Sequence, residues 1–265
     1  MSAVDAPPAA DALGTVAGCW RYPVKSLQGL AVDHLAIDAG GVAGDRTHGL
    51  LDAGADGAGR VLTAKRVAAL LEGSADDEAI TLPGGSTIAL DDPDADAALS
   101  AWLGRPVHLA RPDEAGAVSF QMTFDPPDDD AEYYDIPAPA GTFLDLAHVH
   151  LVTTATLAGC AAARPDLDWD VRRFRPNLLL DVDGPAFVEG TWTGRRVRVG
   201  AAVLAVDGPT VRCAMPLRAQ PGLEREPGIF RALEALNEVS PNHLGAYCSV
   251  VEPGPVRVGD RVELA

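Results

Sequence analysis

Turn residues interrupt this chain so often that few of its apolar runs outlast a short strand, and that limits the folds open to it. Glycine and proline number 27 and 21 among 265 residues. They separate runs of about four to eight residues with the texture of half-buried strands. Thr15–Tyr22, Ala31–Asp38 and Thr47–Asp52 read as strands, and Glu78–Leu82 and Ser86–Leu90 flank Pro83–Gly84–Gly85 as a hairpin. Ala64–Leu71 suits a short helix. Ala95–Leu103 suits a longer one, with Asp94 as N-cap and Gly104 past its end. Further on, His148–Val152 and Asn177–Asp181 read as strands around a helix at Thr154–Ala163. Arg195–Val199 and Ala202–Val206 form a hairpin at Gly200, and Pro227–Val239 is amphipathic, with Ile229, Leu233 and Leu236 on one face. Tyr247–Val251 is a strand. Val256–Val258 and Arg261–Leu264 form a second hairpin around Gly259–Asp260, so the repeated Val-Arg-Val-Gly (197–200 and 256–259) marks two similar hairpins. The expected class is β-rich, mainly β with a few α-helices.

Charge narrows the partners. With 21 basic against 38 acidic residues the formal net charge is -17, which argues against nucleic acid or an anionic membrane surface. Lys25 and Lys65 are the only lysines; every other Lys/Arg cation is arginine. Heavy acid with little lysine fits a salt-adapted, halophilic protein, and replacement of lysine by arginine in a GC-rich genome fits equally. The acidic start MSAVDAPPAADALG lacks a basic n-region, no apolar run nears the roughly 20 residues of a spanning helix, and residues 1–13 read as disordered. The expectation is a cytoplasmic monomer. Cys19, Cys160, Cys213 and Cys248 are scattered with no C-x-x-C pair, which matches neither a zinc site nor a disulfide framework. Cys19, Cys160 and Cys248 sit in apolar surroundings and read as core.

Three constellations can carry chemistry. In the first, Tyr22–Pro23–Val24–Lys25–Ser26 precedes Gly44–Asp45–Arg46 and Thr63–Ala64–Lys65–Arg66, so both lysines fall in short motifs with hydroxyls and an arginine. A cation, a hydroxyl and a guanidinium fork suit a phosphate; surface ion pairs with the many carboxylates are the plain alternative. The second is Arg172–Arg173–Phe174–Arg175–Pro176–Asn177, an anion clamp or a salt-bridge cluster. In the third, the strand from Ala205 breaks at Asp207–Gly208–Pro209 and delivers Cys213 beside Arg212. A thiol next to a cation is placed to act as thiolate, or Cys213 is simply a small apolar residue in a strand. His243, after Pro241–Asn242, reads as a surface turn rather than a pocket residue.

Taken in order, these motifs resemble one family. Tyr22–Ser26 and Gly44–Arg46 are similar to the N-terminal β-barrel domain that precedes MOSC domains. Phe143-Leu144-Asp145, His150–Thr153, Arg173–Asn177, Arg212–Met215 and Val256–Asp260 resemble the MOSC domain itself, the family of molybdenum cofactor sulfurase C-terminal regions and mitochondrial amidoxime-reducing components. The resemblance implies two packed β domains, the C-terminal one a MOSC-type β-barrel. Their bounds would be 14–124 and 142–265, with the acidic, proline-rich 125–141 as linker. It implies a molybdenum cofactor (Mo-pterin), with Cys213 as metal ligand and catalytic residue. Lys25, Ser26, Arg46 and Arg175 would contact the pterin phosphate, and Lys65, Thr153, Arg173, Asn177 and Arg212 would also be cofactor-binding. The activity implied is an oxidoreductase reducing N-oxygenated or similar small substrates, with a separate electron-donor protein, since no Fe–S motif follows. No pyridoxal phosphate domain is expected. Alternatives are a sulfur carrier using a Cys213 persulfide, or a cofactor-binding protein without turnover. Two departures weaken the reductase pocket more than the anchor. Thr210 replaces the first cysteine of the reductases' Cys-x-Arg-Cys, and Pro216–Leu217 replaces their Thr-Thr pair.

Overall fold

The computed structural model describes residues 11–265 except 56–58, 124, 127 and 129; of the stretch 1–13 read as disordered, 1–10 lies outside them, and 11–13 instead opens the first strand. Seven strands close into a barrel: β1 (Asp11–Arg21), β2 (Val149–Thr153), β3 (Leu178–Val182), β4 (Arg196–Val199), β5 (Ala202–Val211), β6 (His243–Glu252) and β7 (Arg261–Leu264). The order is β3-β2-β6-β5-β4-β7-β1, and β1 pairs again with β3 to complete the circle. All these pairings are antiparallel except β2 with β3. Closure leaves no barrel edge unpaired, which removes the template for wrong association that an open sheet presents. Strand accounts for 38% of the protein against 19% helix, so a parallel sheet wrapped in helices is excluded and the β-rich expectation stands.

Inward side chains alternate along the staves as a pleated strand requires. Val16, Leu151, Leu178, Leu180, Val197, Val199, Leu204, Val206, Ala246, Cys248 and Val262 fill one core. Cys19 joins it and Cys160 packs in a second core with Trp169, Phe174, Ile229 and Leu233. All three structural cysteines are therefore core, as their apolar surroundings implied, and burial pushes the Cys19 and Cys160 thiols up to about 11 and about 12.

Residues 30–122 fold into small sheets beside the barrel. Leu30–Val32 adds a spur to β1, and His34–Asp38 pairs with Gly254–Arg257 and Gly41–Val42. Gly49–Asp52 pairs with Val107–Ala110; Ser74–Ala75, Ala79–Thr81 and Thr87–Ala89 form a meander. A core of Val24, Leu27, Leu50, Leu62, Leu70, Leu71, Ile80 and Leu99 lies beneath them, and it also takes Met215 from the far end of the chain. Helix α1 (Ala95–Leu103) ends at Gly104 in the left-handed conformation, φ 64°, where a glycine C-cap belongs. Asp94 stands at its N-cap without a side-chain cap bond. A one-turn helix α2 spans Pro112–Ala115, α3 spans Thr154–Ala163 and α4 spans Gly228–Leu236.

Four local expectations need correction. Strand β5 does not break at Asp207–Gly208–Pro209 but runs on to Val211, absorbing those residues in two register shifts against β6; bulges let a strand carry a glycine and proline without ending. The second Val-Arg-Val-Gly is not a hairpin. Gly254–Arg257 pairs with His34–Asp38, while Arg261–Leu264 returns to the barrel between β1 and β4. Ala64–Leu71 holds only a 3-10 turn at Ala68–Glu72. Within 125–141, Tyr134–Pro137 is a strand paired with Ser119–Met122.

Candidate functional site

A cleft opens where β1 and β5 leave the barrel and β2 and β3 enter it. Its lining includes Arg46, Asp145, His150, Arg175, Asn177, Thr210, Arg212, Cys213 and Tyr247. These come from six separate stretches, so Arg46, Arg175 and Arg212 converge on the cleft, while Lys25 and Ser26 do not line it.

The chain between β1 and the small sheets builds one wall. Gly44 has φ 77°, and a Cβ there would strike the Arg21 guanidinium, so this turn accepts only glycine without rearrangement. Asp45, buried at the turn, accepts from the Tyr22 amide at 2.6 Å and from Asn177 Nδ2 at 3.2 Å, and it pairs with Arg46. Two cations lie over the Tyr22 ring, the Arg175 guanidinium 4.2 Å and the Arg46 guanidinium 5.3 Å from its centroid. Its hydroxyl donates to the Pro176 carbonyl at 3.0 Å, and burial pushes the phenol up. Five non-glycine residues among those described have positive φ, and Ser26 (69°), Arg46 (50°) and Arg175 (54°) are three of them. Left-handed backbone at non-glycine residues persists only where surroundings over-determine it, and it clusters at ligand sites.

Lys25 and Lys65 are both nearly inaccessible, at 3% and 4% exposure, and share one carboxylate. Lys25 Nζ donates to Asp145 Oδ1 at 2.6 Å and to the Phe143 carbonyl at 2.6 Å; Lys65 Nζ donates to Asp145 Oδ2 at 3.2 Å. The Phe120 ring lies 4.3 Å from Lys65 Nζ and 5.2 Å from Lys25 Nζ. Burial lowers Lys25 to about 8 despite Asp145. Burial works against ionisation of Asp145, yet the two lysines hold its carboxyl well below the usual range.

The opposite wall is arginine without carboxylate. Arg175 donates to the Leu27 carbonyl at 2.7 Å, and Arg212 to the Phe174 carbonyl at 2.9 Å and the Leu244 carbonyl at 3.4 Å. Neither has a salt bridge among the described residues. Burial lowers Arg175 to about 10 and lowers Arg212 as well. Arg212 Nε and the Thr210 hydroxyl, both shut away from water, have no hydrogen-bond partner. His150 Nε2 lies 3.4 Å from an Arg212 nitrogen, and burial with that charge holds the imidazole well below its ordinary pKa, so it is neutral. Cys213 is half-buried at the rim, where the cleft continues into a second hollow of about 300 Å³ walled by Phe120, Met122, Leu146, Val211 and Tyr247.

Of the residues singled out in the sequence, Arg46, Arg175, Asn177, Arg212 and Cys213 meet at the cleft, and Lys65 lines the adjoining hollow. Lys25 sits behind Asp145, and Ser26 is buried next to it. Thr153 and Arg173 are not brought there. Thr153 is fully buried and caps α3, its hydroxyl accepting from the Thr156 amide at 3.1 Å. Arg173, also fully buried, ties down the loop after Cys213 through the Pro216, Arg218 and Glu224 carbonyls and Asp168. Asp145, Tyr22, His150 and Tyr247 were missed as site residues. The signal available was that Tyr22, Asp145 and His150 stand in the motifs Tyr22–Ser26, Phe143-Leu144-Asp145 and His150–Thr153.

A family model described as the MOSC N-terminal beta barrel domain matches residues 13–105, and one described as the MOSC domain matches residues 140–263. Stave β1 falls in the first match yet closes the barrel made by the second. No curated protein matches significantly. Similar solved structures include the YUAD protein from Bacillus subtilis, 14% identical over 95% of this chain and 94% of that one, TM-score 0.44. YiiM from Escherichia coli is 17% identical over 45% and 54%, TM-score 0.32, and YiiM from Geobacillus stearothermophilus 14% over 57% and 72%, TM-score 0.35.

Proposed function

The chain belongs to the MOSC domain family, with the MOSC N-terminal beta barrel domain ahead of the MOSC domain, and from that premise we propose a molybdenum cofactor-dependent oxidoreductase. MOSC domains are generally associated with molybdenum cofactor binding. One observation carries the reading to these residues: two buried arginines, Arg175 and Arg212, line the cleft with no carboxylate to neutralise them. A buried cation without a partner is expensive, and an anionic ligand offsets that cost.

The donor set fits the group. Arg46, Arg175 and Arg212 present guanidinium forks to a phosphate, with Lys25 and Ser26 behind them. The orphaned Arg212 Nε and Thr210 hydroxyl supply hydrogen-bond capacity that the protein leaves unused. Cys213 at the rim offers a soft thiolate suited to molybdenum. When bound, the cofactor supplies a metal centre that takes up and gives out electrons. The protein's own part is to orient that centre through the phosphate anchor. The neutral His150 and the Arg212 charge shape the field at Cys213, and the apolar hollow excludes water from the substrate. That hollow fits a small organic substrate, here taken to be N-oxygenated, and electrons come from a separate donor protein.

Protein purified from a cofactor-competent host tests this against a persulfide carrier. The expected result is molybdenum in the wild type and no cyanide-labile sulfur. Cys213→Ala keeps the pterin through the intact phosphate anchors and loses activity. Absence of molybdenum together with a sulfane sulfur that disappears in Cys213→Ala supports the carrier instead.

A further inference from the structure

Behind the cleft, on the far side of β6, lies a buried carboxyl that no cation neutralises. Glu189 sits in the 3-10 turn Val188–Trp192 at 1% exposure, and no cation pairs with it among the described residues. Its Oε2 lies 2.6 Å from Thr156 Oγ1 and 2.9 Å from Thr153 Oγ1, and the two hydroxyls are 3.0 Å apart. Three oxygens in mutual contact hold at most one hydrogen on each edge, and a carboxyl buried at 1% exposure without a counter-ion favours its neutral form. With an ionised Glu189 only two hydroxyl hydrogens serve the three edges, and the third becomes a contact between lone pairs.

A proton on Oε2 completes the ring. Glu189 Oε2 then donates to Thr156, Thr156 donates to Thr153, and Thr153 donates back to Oε2. The remaining neighbours agree with this assignment. Thr153 Oγ1 also accepts from the Thr156 amide at 3.1 Å, Thr156 Oγ1 from the Phe187 amide at 2.7 Å, and Glu189 Oε1 from the Gly245 amide at 3.0 Å. Every oxygen is satisfied and no donor is duplicated.

We propose that Glu189 is a neutral carboxylic acid and the positioning residue behind the Arg212–His150 wall of the cleft. The link runs through Gly245, whose amide Glu189 holds. Gly245 has φ 85°, and a Cβ there would strike the His150 ring and the Leu151 carbonyl. Its neighbour Leu244 accepts from Arg212 through its carbonyl. A shift of the Glu189–Gly245 contact therefore moves two cleft residues together. The titratable or charged groups on the elements packed around Glu189 are His150 on β2, Asp207 on β5, His243, Tyr247, Cys248 and Glu252 on β6 and Cys160 on α3, with Arg212 beyond Gly245 and Glu238 after α4; none of them is a cation paired with its carboxyl. Burial, without any compensating cation, raises the Glu189 carboxyl above its ordinary value of 4.5.

Infrared spectra of the intact protein and of Glu189→Gln at neutral pH test the proton directly. The wild type should show the carbonyl stretch of a protonated buried carboxyl, and Glu189→Gln should lack it. Glutamine keeps a donor and an acceptor, so the His150 ring resonances should stay within the wild-type pattern in Glu189→Gln and shift in Glu189→Leu. Melting temperature should fall in the wild type as pH rises above the ordinary glutamate range, because the unfolded carboxyl ionises first; that fall should vanish in Glu189→Gln. No protonated carboxyl band, or a His150 signal that Glu189→Leu leaves unmoved, overturns the proposal. If Glu189→Leu does not fold, a His150 shift in Glu189→Gln equally overturns it. None of these readouts involves a bound ligand, so they are separable from the cofactor reading.

Discussion

The lysine side and the arginine side of the cleft solve the same problem, a buried positive charge in an acidic protein, in opposite ways. Lys25 and Lys65 converge on Asp145 and are neutralised by a carboxylate of their own chain. Arg175 and Arg212 donate to carbonyls and have no salt bridge among the described residues, and Arg46 shares Asp45 with Asn177. The difference teaches which cations the chain neutralises itself and which it leaves without a carboxylate of their own. A lysine is a compact charge readily satisfied by one oxygen, whereas a guanidinium keeps donors pointing outward after two bonds are made. On the proposed function the arginine side would be the anion-binding face, with the lysine side supporting it.

The largest effect should come from the arginine side. Replacing Arg212 with Met removes a buried donor set, and hydrogen bonds to charged groups contribute about 1.5–3 kcal/mol. Titration with inorganic phosphate should therefore show affinity weakened about 10- to 100-fold, with a smaller loss in Lys65→Met. A larger loss in the lysine variant would invert the comparison.

Next comes Asp145→Asn, which separates the two sides. It releases both lysines to an incoming anion, so phosphate should bind more tightly. Stability should drop by about 1–2 kcal/mol, less than for a fully buried pair because Asp145 is about a third exposed. Weaker phosphate binding in Asp145→Asn would mean that the carboxylate positions the lysines for the ligand rather than competing with it.

A pH series sharpens this further. Lys25 titrates at about 8, its charged form is lost as pH rises through that value, and an anion prefers the charged form. Phosphate affinity should fall across that range, and by linkage phosphate should raise the Lys25 pKa. Lys25→Met should flatten the profile.

The smallest effect expected is that of salt, which should act oppositely on surface and cleft. At a net charge of -17, screening of carboxylate repulsion by KCl should raise the melting temperature by a few degrees, while the same salt weakens phosphate binding. A flat melting profile would remove salt adaptation as the reason for the acidic bias.

Local signals made much of this readable before the fold was known. Helices at Ala95–Leu103 and Thr154–Ala163 begin and end where period and punctuation put them. Ser26, Arg46 and Arg175 stood out by residue type and proved to be left-handed backbone positions, Arg46 and Arg175 in the cleft and Ser26 buried behind it. What stayed hidden was long-range pairing. Nothing near Thr15 says that β1 will close a barrel with β3 and β7, because ladder partners leave no mark in the local pattern. For the same reason Val256–Gly259 looked like its twin at 197–200 but found its partner in His34–Asp38. Thr153 and Arg173 sat in the right motifs, yet side-chain direction turned them away from the cleft.

The central claim is that Cys213 is a molybdenum ligand in a cofactor anchored by the arginine side. Molybdenum X-ray absorption on the loaded wild type and on Cys213→Ala tests it most directly. The account predicts one fewer sulfur neighbour on the metal in Cys213→Ala, with the pterin still bound. A molybdenum shell unchanged by the substitution would contradict it.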